Sequence, residues 1–130
     1  MITISKKVEY SILLVSYLAK YKGETVSLAD VAKRILLPYR FLGQLASALK
    51  KGGIIESREG KMGGYSMSPG WESKSLYDLL DALGENKHMV KCLAGKVVCK
   101  RAADCQIKGV WDKIEKSFVK ELKLIKLSDL

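Results

Sequence analysis

Apolar residues recur at intervals of three and four along the first third of the chain, a pattern that predicts amphipathic helices. The first helix is expected from about Ser5 to Tyr21, where a glycine soon follows as a stop signal. A short second helix is expected over residues 28–35, because Ser27 and Asp30 are spaced like a capping box. The chain therefore begins with two helices joined by a short connection.

A third helix is expected to open at Pro38, since proline suits the first helical position, and to end at the Gly52–Gly53 pair. The pattern then changes to two short strand-like runs, residues 54–57 and 65–68. They flank the glycine-rich basic stretch REGKMGG, which predicts a β-hairpin with a long loop.

Two more helices are expected in the second half. Ser75 with Asp78 caps the first of them, which ends near Gly84. From about Cys105 a long apolar stripe predicts the last helix, with lysines on its opposite face. This stripe either closes the chain's own core or pairs with a second copy, and its length and continuity favour a homodimer. The expected dimer residues are Val110, Trp111, Ile114, Phe118, Leu122 and Ile125.

The order helix, short helix, turn, helix and hairpin is that of a winged helix-turn-helix. We therefore predict a mainly α fold with a small β-hairpin wing and a long C-terminal dimerisation helix. Residues 1–84 form the DNA-binding domain with its following short helix. Residues 85–106 form a cysteine-bearing loop, and residues 107–130 form the dimerisation helix and tail.

Composition agrees with this division. Lys and Arg number 23 against 14 Asp and Glu in 130 residues, a formal net charge of +9 that suits a polyanion such as DNA. The excess is larger in residues 1–70, with eleven basic and five acidic side chains. No stretch is long and apolar enough for a transmembrane helix, and the N-terminus does not read as a signal peptide. We expect a cytoplasmic protein that does not bind membranes and is not an enzyme.

In a winged helix-turn-helix, the N-terminal residues of the third helix meet base edges in the major groove. Pro38, Tyr39, Arg40 and Gln44 hold that place here. Arg40 and Gln44 share a helix face, and their side chains are of the types that read guanine and adenine. Residues of the hairpin are expected to contact phosphates or the minor groove, notably Arg58 and Lys61. A protein-binding module with the same helix order is the alternative.

All three cysteines lie in the stretch MVKCLAGKVVCKRAADC, as Cys92, Cys99 and Cys105. In a reducing compartment, clustered cysteines more often bind metal or do redox chemistry than form structural disulfides. Paired Cys-x-x-Cys spacing, typical of zinc sites, does not occur. The spacing favours a loop around a larger inorganic core, and reversible thiol–disulfide chemistry is the alternative. A basic electron carrier or a small redox enzyme is the third hypothesis, disfavoured because the sequence shows no catalytic base, nucleophile pair or cofactor loop.

The stretch SREGKMGGYSMS, the helices before it and the three cysteines after it resemble the IscR/NsrR/CymR family of bacterial winged-helix regulators. This resemblance covers nearly the whole chain. It implies a homodimer crossed through the long helices, operator DNA as partner, and an iron–sulfur cluster of the 2Fe–2S or 4Fe–4S type. The thiolates would be Cys92, Cys99 and Cys105. The residues expected to contact DNA lie on or beside the third helix and the hairpin. They are Ser27, Pro38, Tyr39, Arg40, Gln44, Ser57, Arg58, Lys61, Gly63, Gly64 and Tyr65.

The chain departs from the family at three places. Glu59 separates Arg58 from the wing glycine, and Gly43 stands where one branch has a glutamate. Lys108 stands where that branch supplies a histidine after the last cysteine. The fourth cluster ligand must then come from elsewhere. Resemblance to another branch implies Glu9, from the partner subunit, and His88, Asp104 or a small exogenous ligand are the competitors.

Overall fold

The structure is a computed structural model and describes residues 3–95 and 99–130. The helices are α1 (Lys6–Lys20), α2 (Leu28–Ile35), α3 (Tyr39–Lys51), α4 (Leu76–Ala82) and α5 (Lys108–Leu124). The strands are β1 (Ile55–Arg58) and β2 (Gly64–Met67). Short 3-10 turns occur at Trp71–Ser73, Lys91–Ala94, Ala102–Asp104 and Leu127–Asp129. No helix within the described ranges is long and apolar enough to cross a membrane.

The capping residues fix the helix boundaries. Ser27 accepts a hydrogen bond from the Asp30 amide at 3.2 Å, so α2 begins and ends as the sequence predicts. Ser75 and Asp78 form a complete capping box at the start of α4. Pro38 is the N-cap residue of α3 rather than its first helical residue, a shift of one position.

The core is formed where the apolar stripes of the first four helices meet. Fully buried side chains come from α1, α2, α3, β1 and α4, and they include Leu14, Val31, Leu45, Ile55 and Leu79. Trp71, which follows the hairpin, is also buried and packs into the same cluster. These residues form one continuous core, which holds α3 and the hairpin in a fixed relation.

The two strands pair antiparallel, with Ser57 opposite Tyr65 and Arg58 opposite Gly64. The hairpin predicted from the alternating pattern is therefore confirmed, with each strand displaced by one residue. In β1 the strand runs one residue later than expected, and in β2 one residue earlier. Such one-residue differences follow from hydrogen-bond pairing, which a periodicity pattern does not fix.

The end of the chain folds back on the start of α4. The Leu76 amide donates to the Ile125 carbonyl at 2.8 Å, and the Leu127 amide donates to the Lys74 carbonyl at 2.9 Å. Leu127 is fully buried, and Leu122, only 9% exposed, belongs to the same core. The sequence places Leu122 in a dimer seam, but its side chain packs inside its own subunit.

Candidate nucleic-acid interface and cysteine segment

Helix α3 has a buried and an exposed face. Leu42, Leu45 and Leu49 are buried in the core, which turns the opposite face outward. That exposed face carries Arg40 and Gln44, followed at helical spacing by Lys51 near its end. Arg40 and Gln44 are thus brought together as the sequence predicts, and Lys51 is an additional cation that the sequence analysis did not single out.

The N-terminal end of α3 is open to an anion. Its N-cap residue, Pro38, makes no side-chain capping hydrogen bond, and no acidic residue lies in the first turn. The positive end of the helix dipole is therefore not offset by a carboxylate of its own first turn. Tyr39, with 61% of its surface exposed, stands at this end. The arrangement suits contact with a phosphate backbone.

The wing is fastened to the segment that leads into α2. Val26 and Tyr65 exchange two backbone hydrogen bonds of 2.8 Å, and the Thr25 hydroxyl donates to the Met62 carbonyl at 2.7 Å. Because Ser27 caps α2 immediately afterwards, the wing and the helix-turn-helix are joined directly. Thr25 is not among the residues predicted from the sequence, because its partner lies 37 residues away along the chain.

The wing glycines allow this close approach. A Cβ added at Gly64 would lie 2.5 Å from the Val26 carbonyl oxygen, and one at Gly63 would lie 2.6 Å from the Arg58 carbonyl oxygen. A side chain at either position would collide with the backbone, so the wing can adopt this conformation only with glycine there. Tyr65 is half-buried and packs against the core, which anchors β2 to the rest of the domain.

The tip of the hairpin is exposed and mixed in charge. Arg58, Glu59 and Lys61 are all exposed, and Met62 is 87% exposed beside them. The half-buried Ser57 lies at the base of this loop in β1. The side chains of Arg58 and Lys61 therefore face solvent at the hairpin, and their contact with phosphates or the minor groove stays a prediction.

The three cysteines are free and half-buried. Cys92 lies in the turn Lys91–Ala94, and Cys105 follows the turn Ala102–Asp104. Within residues 3–95 and 99–130, no group of three or more His, Cys, Asp or Glu side chains is placed to hold one metal ion. The donor chemistry fits an iron–sulfur cluster, since three free thiols share one segment, but these side chains are not gathered at one point.

The candidate fourth ligands have partners of their own. Glu9, with half of its side chain exposed, accepts a hydrogen bond from Lys6 Nζ at 2.9 Å. His88 Nδ1 lies 2.6 Å from Glu115 Oε1 on α5. Asp104 is exposed at the end of a 3-10 turn. Glu9 is accessible to a second chain, whereas one nitrogen of His88 is already engaged.

Helix α5 exposes most of the apolar seam that the sequence predicts. Val110 is 55% exposed and Ile114 43%, and Trp111, Phe118 and Ile125 are also solvent-exposed in the single chain. Ile107, just before the helix, extends the same apolar surface. The seam is therefore open on an isolated subunit, with the buried Leu122 as the exception.

The family model described as "Rrf2: Iron-dependent Transcriptional regulator" matches residues 4–130. The chain belongs to the Rrf2 family of transcriptional regulators. A putative HTH-type transcriptional regulator of Haemophilus influenzae is 34% identical over 108 residues, which cover 81% of this chain and 71% of that protein. The HTH-type transcriptional regulator IscR of Klebsiella pneumoniae is 29% identical, over 81% of this chain and 64% of its own length.

Solved structures of regulators have the same fold. CymR, the global cysteine regulator of B. subtilis, superposes with a TM-score of 0.79 at 26% identity, covering 99% of this chain and 95% of that one. IscR of T. potens gives a TM-score of 0.76 at 28% identity, covering 98% and 85%. These likenesses confirm the winged-helix fold and the family resemblance, and they identify a transcriptional regulator rather than an enzyme.

Proposed function

We propose that this Rrf2-family chain is a homodimeric regulator that binds operator DNA and senses redox state, iron–sulfur supply or nitric oxide through an iron–sulfur cluster. The observation that carries the proposal is the location of the thiols. All three belong to the segment that joins the winged-helix domain to α5, and we infer that a change in this segment would be transmitted to both. The description of the family as iron-dependent supports the same chemistry.

Cys92, Cys99 and Cys105 would hold the cluster as thiolates, with Glu9 of a second subunit completing the set. When bound, the cluster supplies a redox-active centre whose oxidation, nitrosylation or loss changes the ligand set. The chain's own contribution is to keep the three thiols half-buried, which limits access of solvent. Glu9 would have to exchange its Lys6 partner for the cluster, which exposure on α1 permits.

The second copy would cover the exposed face of α5. Val110, Trp111 and Ile114 form a continuous apolar strip that water contacts in the single chain. Burial of such a strip against its equivalent removes apolar surface from water on both chains. A dimer also supplies two recognition helices for two half-sites on one face of the duplex.

On DNA, Arg40 and Gln44 would read base edges from the exposed face of α3. Arg58 and Lys61 would contact phosphates or the minor groove from the wing. Two features support this assignment: the first turn of α3 has no acidic residue, and hydrogen bonds of Thr25 and Val26 hold the wing next to α2. Such a regulator acts where chromosomal DNA is, in the cytoplasm.

A second candidate function is sensing by thiol–disulfide chemistry without a cluster. It is favoured by similarity to CymR structures, which include an oxidized form of the Staphylococcus aureus protein at a TM-score of 0.73 and 25% identity. The three free thiols serve this chemistry equally well, since two can form a disulfide while one remains.

Anaerobic purification separates the two candidates. Iron and sulfide in the protein, with visible absorption lost in the triple Cys→Ser variant, support the cluster. A colourless protein whose electrophoretic mobility changes with a thiol oxidant supports disulfide chemistry and contradicts the cluster. Replacement of Glu9 by alanine should alter the cluster spectra, with His88→Ala as the comparison. Unchanged spectra for Glu9→Ala would rule out Glu9 as a ligand.

A further inference from the structure

One carboxylate links the segment before the first cysteine to α5. Glu115 Oε1 lies 2.6 Å from His88 Nδ1, and Glu115 Oε2 accepts a hydrogen bond from the Met89 amide at 2.8 Å. Both oxygens of one side chain are therefore engaged by two consecutive residues of another segment. We refer to this arrangement of Glu115, His88 and Met89 as the carboxylate clamp.

The surroundings of Glu115 strengthen the clamp. Its side chain is only 17% exposed, whereas Asp112, one turn earlier on α5, is 44% exposed and pairs with Lys116 of the same helix. Glu115 lies at the wall of a cleft of about 240 Å³, beside Phe118 and Val119. Hydrogen bonds in such a partly apolar setting are stronger than the same bonds in water.

The charge state agrees with the geometry. The Met89 amide, and then the His88 side chain, hold the pKa of Glu115 below its ordinary value, so the carboxylate is ionised at neutral pH. An ionised carboxylate accepts through both oxygens, as the clamp requires.

The clamp has a cysteine on one side and the proposed dimer surface on the other. Met89 lies three residues before Cys92, whose turn Lys91–Ala94 packs against α5. On α5, Glu115 directly follows Ile114 and lies three residues before Phe118, both exposed on the apolar seam. Among the described residues, the segment just before Cys92 is joined to α5 by side-chain hydrogen bonds through Glu115 alone.

We propose that Glu115 is a positioning residue that transmits the state of the cysteine segment to α5. A rearrangement around Cys92 pulls on His88 and Met89, and the clamp passes that displacement to the helix that sets the spacing of the two DNA-binding domains. This inference rests on the proposed sensing function. Without the clamp, the segment would change state and α5 would not follow.

The test compares duplex dissociation constants in two states of the cysteines, the state found on anaerobic purification and the fully reduced, iron-free state. A typical coupling between two sites changes affinity by about 5–150-fold. We expect a ratio in this range for the full chain. Glu115→Ala should bring the ratio close to one, and Glu115→Gln, which keeps the shape but only one acceptor oxygen, should give an intermediate ratio.

Asp112→Asn is the matched control. Asp112 lies on the same helix, but its partner Lys116 also belongs to α5, so this pair does not join α5 to another segment. The variant should keep the wild-type ratio. If Glu115→Ala lowers the melting temperature and both affinities together while the ratio persists, Glu115 is an ordinary structural contact and the inference is overturned. If the wild-type chain shows equal affinities in both states, the proposed sensing function fails first, and the inference with it.

Discussion

At the scale of single residues, two glycines that look alike in the sequence have opposite roles. Gly64 lies where β2 passes the segment before α2, and a Cβ there would lie 2.5 Å from the Val26 carbonyl oxygen. Gly43 lies inside α3, and a Cβ there would meet nothing within 4 Å. The first glycine allows a close backbone contact, whereas the second only weakens a helix.

Replacement by alanine should therefore change stability in opposite directions. Gly64→Ala should lower the free energy of unfolding by about 1–3 kcal/mol, because backbone must shift to admit the methyl group. Gly43→Ala should raise it by about 1 kcal/mol through helix propensity. Urea unfolding of both variants measures these values, and a Gly64→Ala variant as stable as wild type would contradict the close contact.

Contacts between residues close in sequence can be predicted from the sequence, whereas contacts between distant residues cannot. The capping of α4 by Ser75 and Asp78 is a local pattern, and the structure confirms it. The pairs Thr25–Met62 and Glu115–His88 join residues 37 and 27 positions apart. Nothing in local periodicity or spacing indicates which distant side chains will meet, because that depends on how the helices pack.

At the scale of elements, the apolar stripe of α5 has a buried part and an exposed part, which its sequence pattern does not distinguish. Its last turn contributes Leu122 to the subunit core, and Leu127, which follows the helix, is buried in the same core. Its first part leaves Val110 and Ile114 exposed. The sequence assigns the whole stripe to a dimer, since periodicity shows that a face is apolar but not what covers it.

A charge in the exposed part should separate the subunits. Ile114→Lys places an ammonium group in the proposed seam, where burial without a partner is costly. We expect sedimentation of the wild-type chain as a dimer and of Ile114→Lys as a monomer, with helix content unchanged. Leu36→Lys is the control, because Leu36 is 87% exposed in the turn between α2 and α3 and should leave the mass unchanged. Equal masses for wild type and Ile114→Lys would contradict the seam.

At the scale of the whole molecule, one core joins the edge that we propose to face DNA to the segment that carries the cysteines. The edge consists of α3 and the wing, which Val26 and Thr25 hold together. A second part consists of α5, to which Glu115 joins His88 and Met89, shortly before Cys92. The order of elements and the family follow from the sequence and are confirmed. The contacts that join these parts emerge only once the chain is folded.

In the proposed function, α3 reads the DNA sequence, while the wing contacts phosphates or the minor groove. Binding of wild type, Arg40→Ala and Lys61→Ala to an operator duplex and to a random duplex, at one fixed salt concentration, tests it most directly. Arg40→Ala should cost about 1–3 kcal/mol on the operator and little on random DNA, whereas Lys61→Ala should weaken both alike. Equal losses on the two duplexes for Arg40→Ala would show that Arg40 does not read base edges.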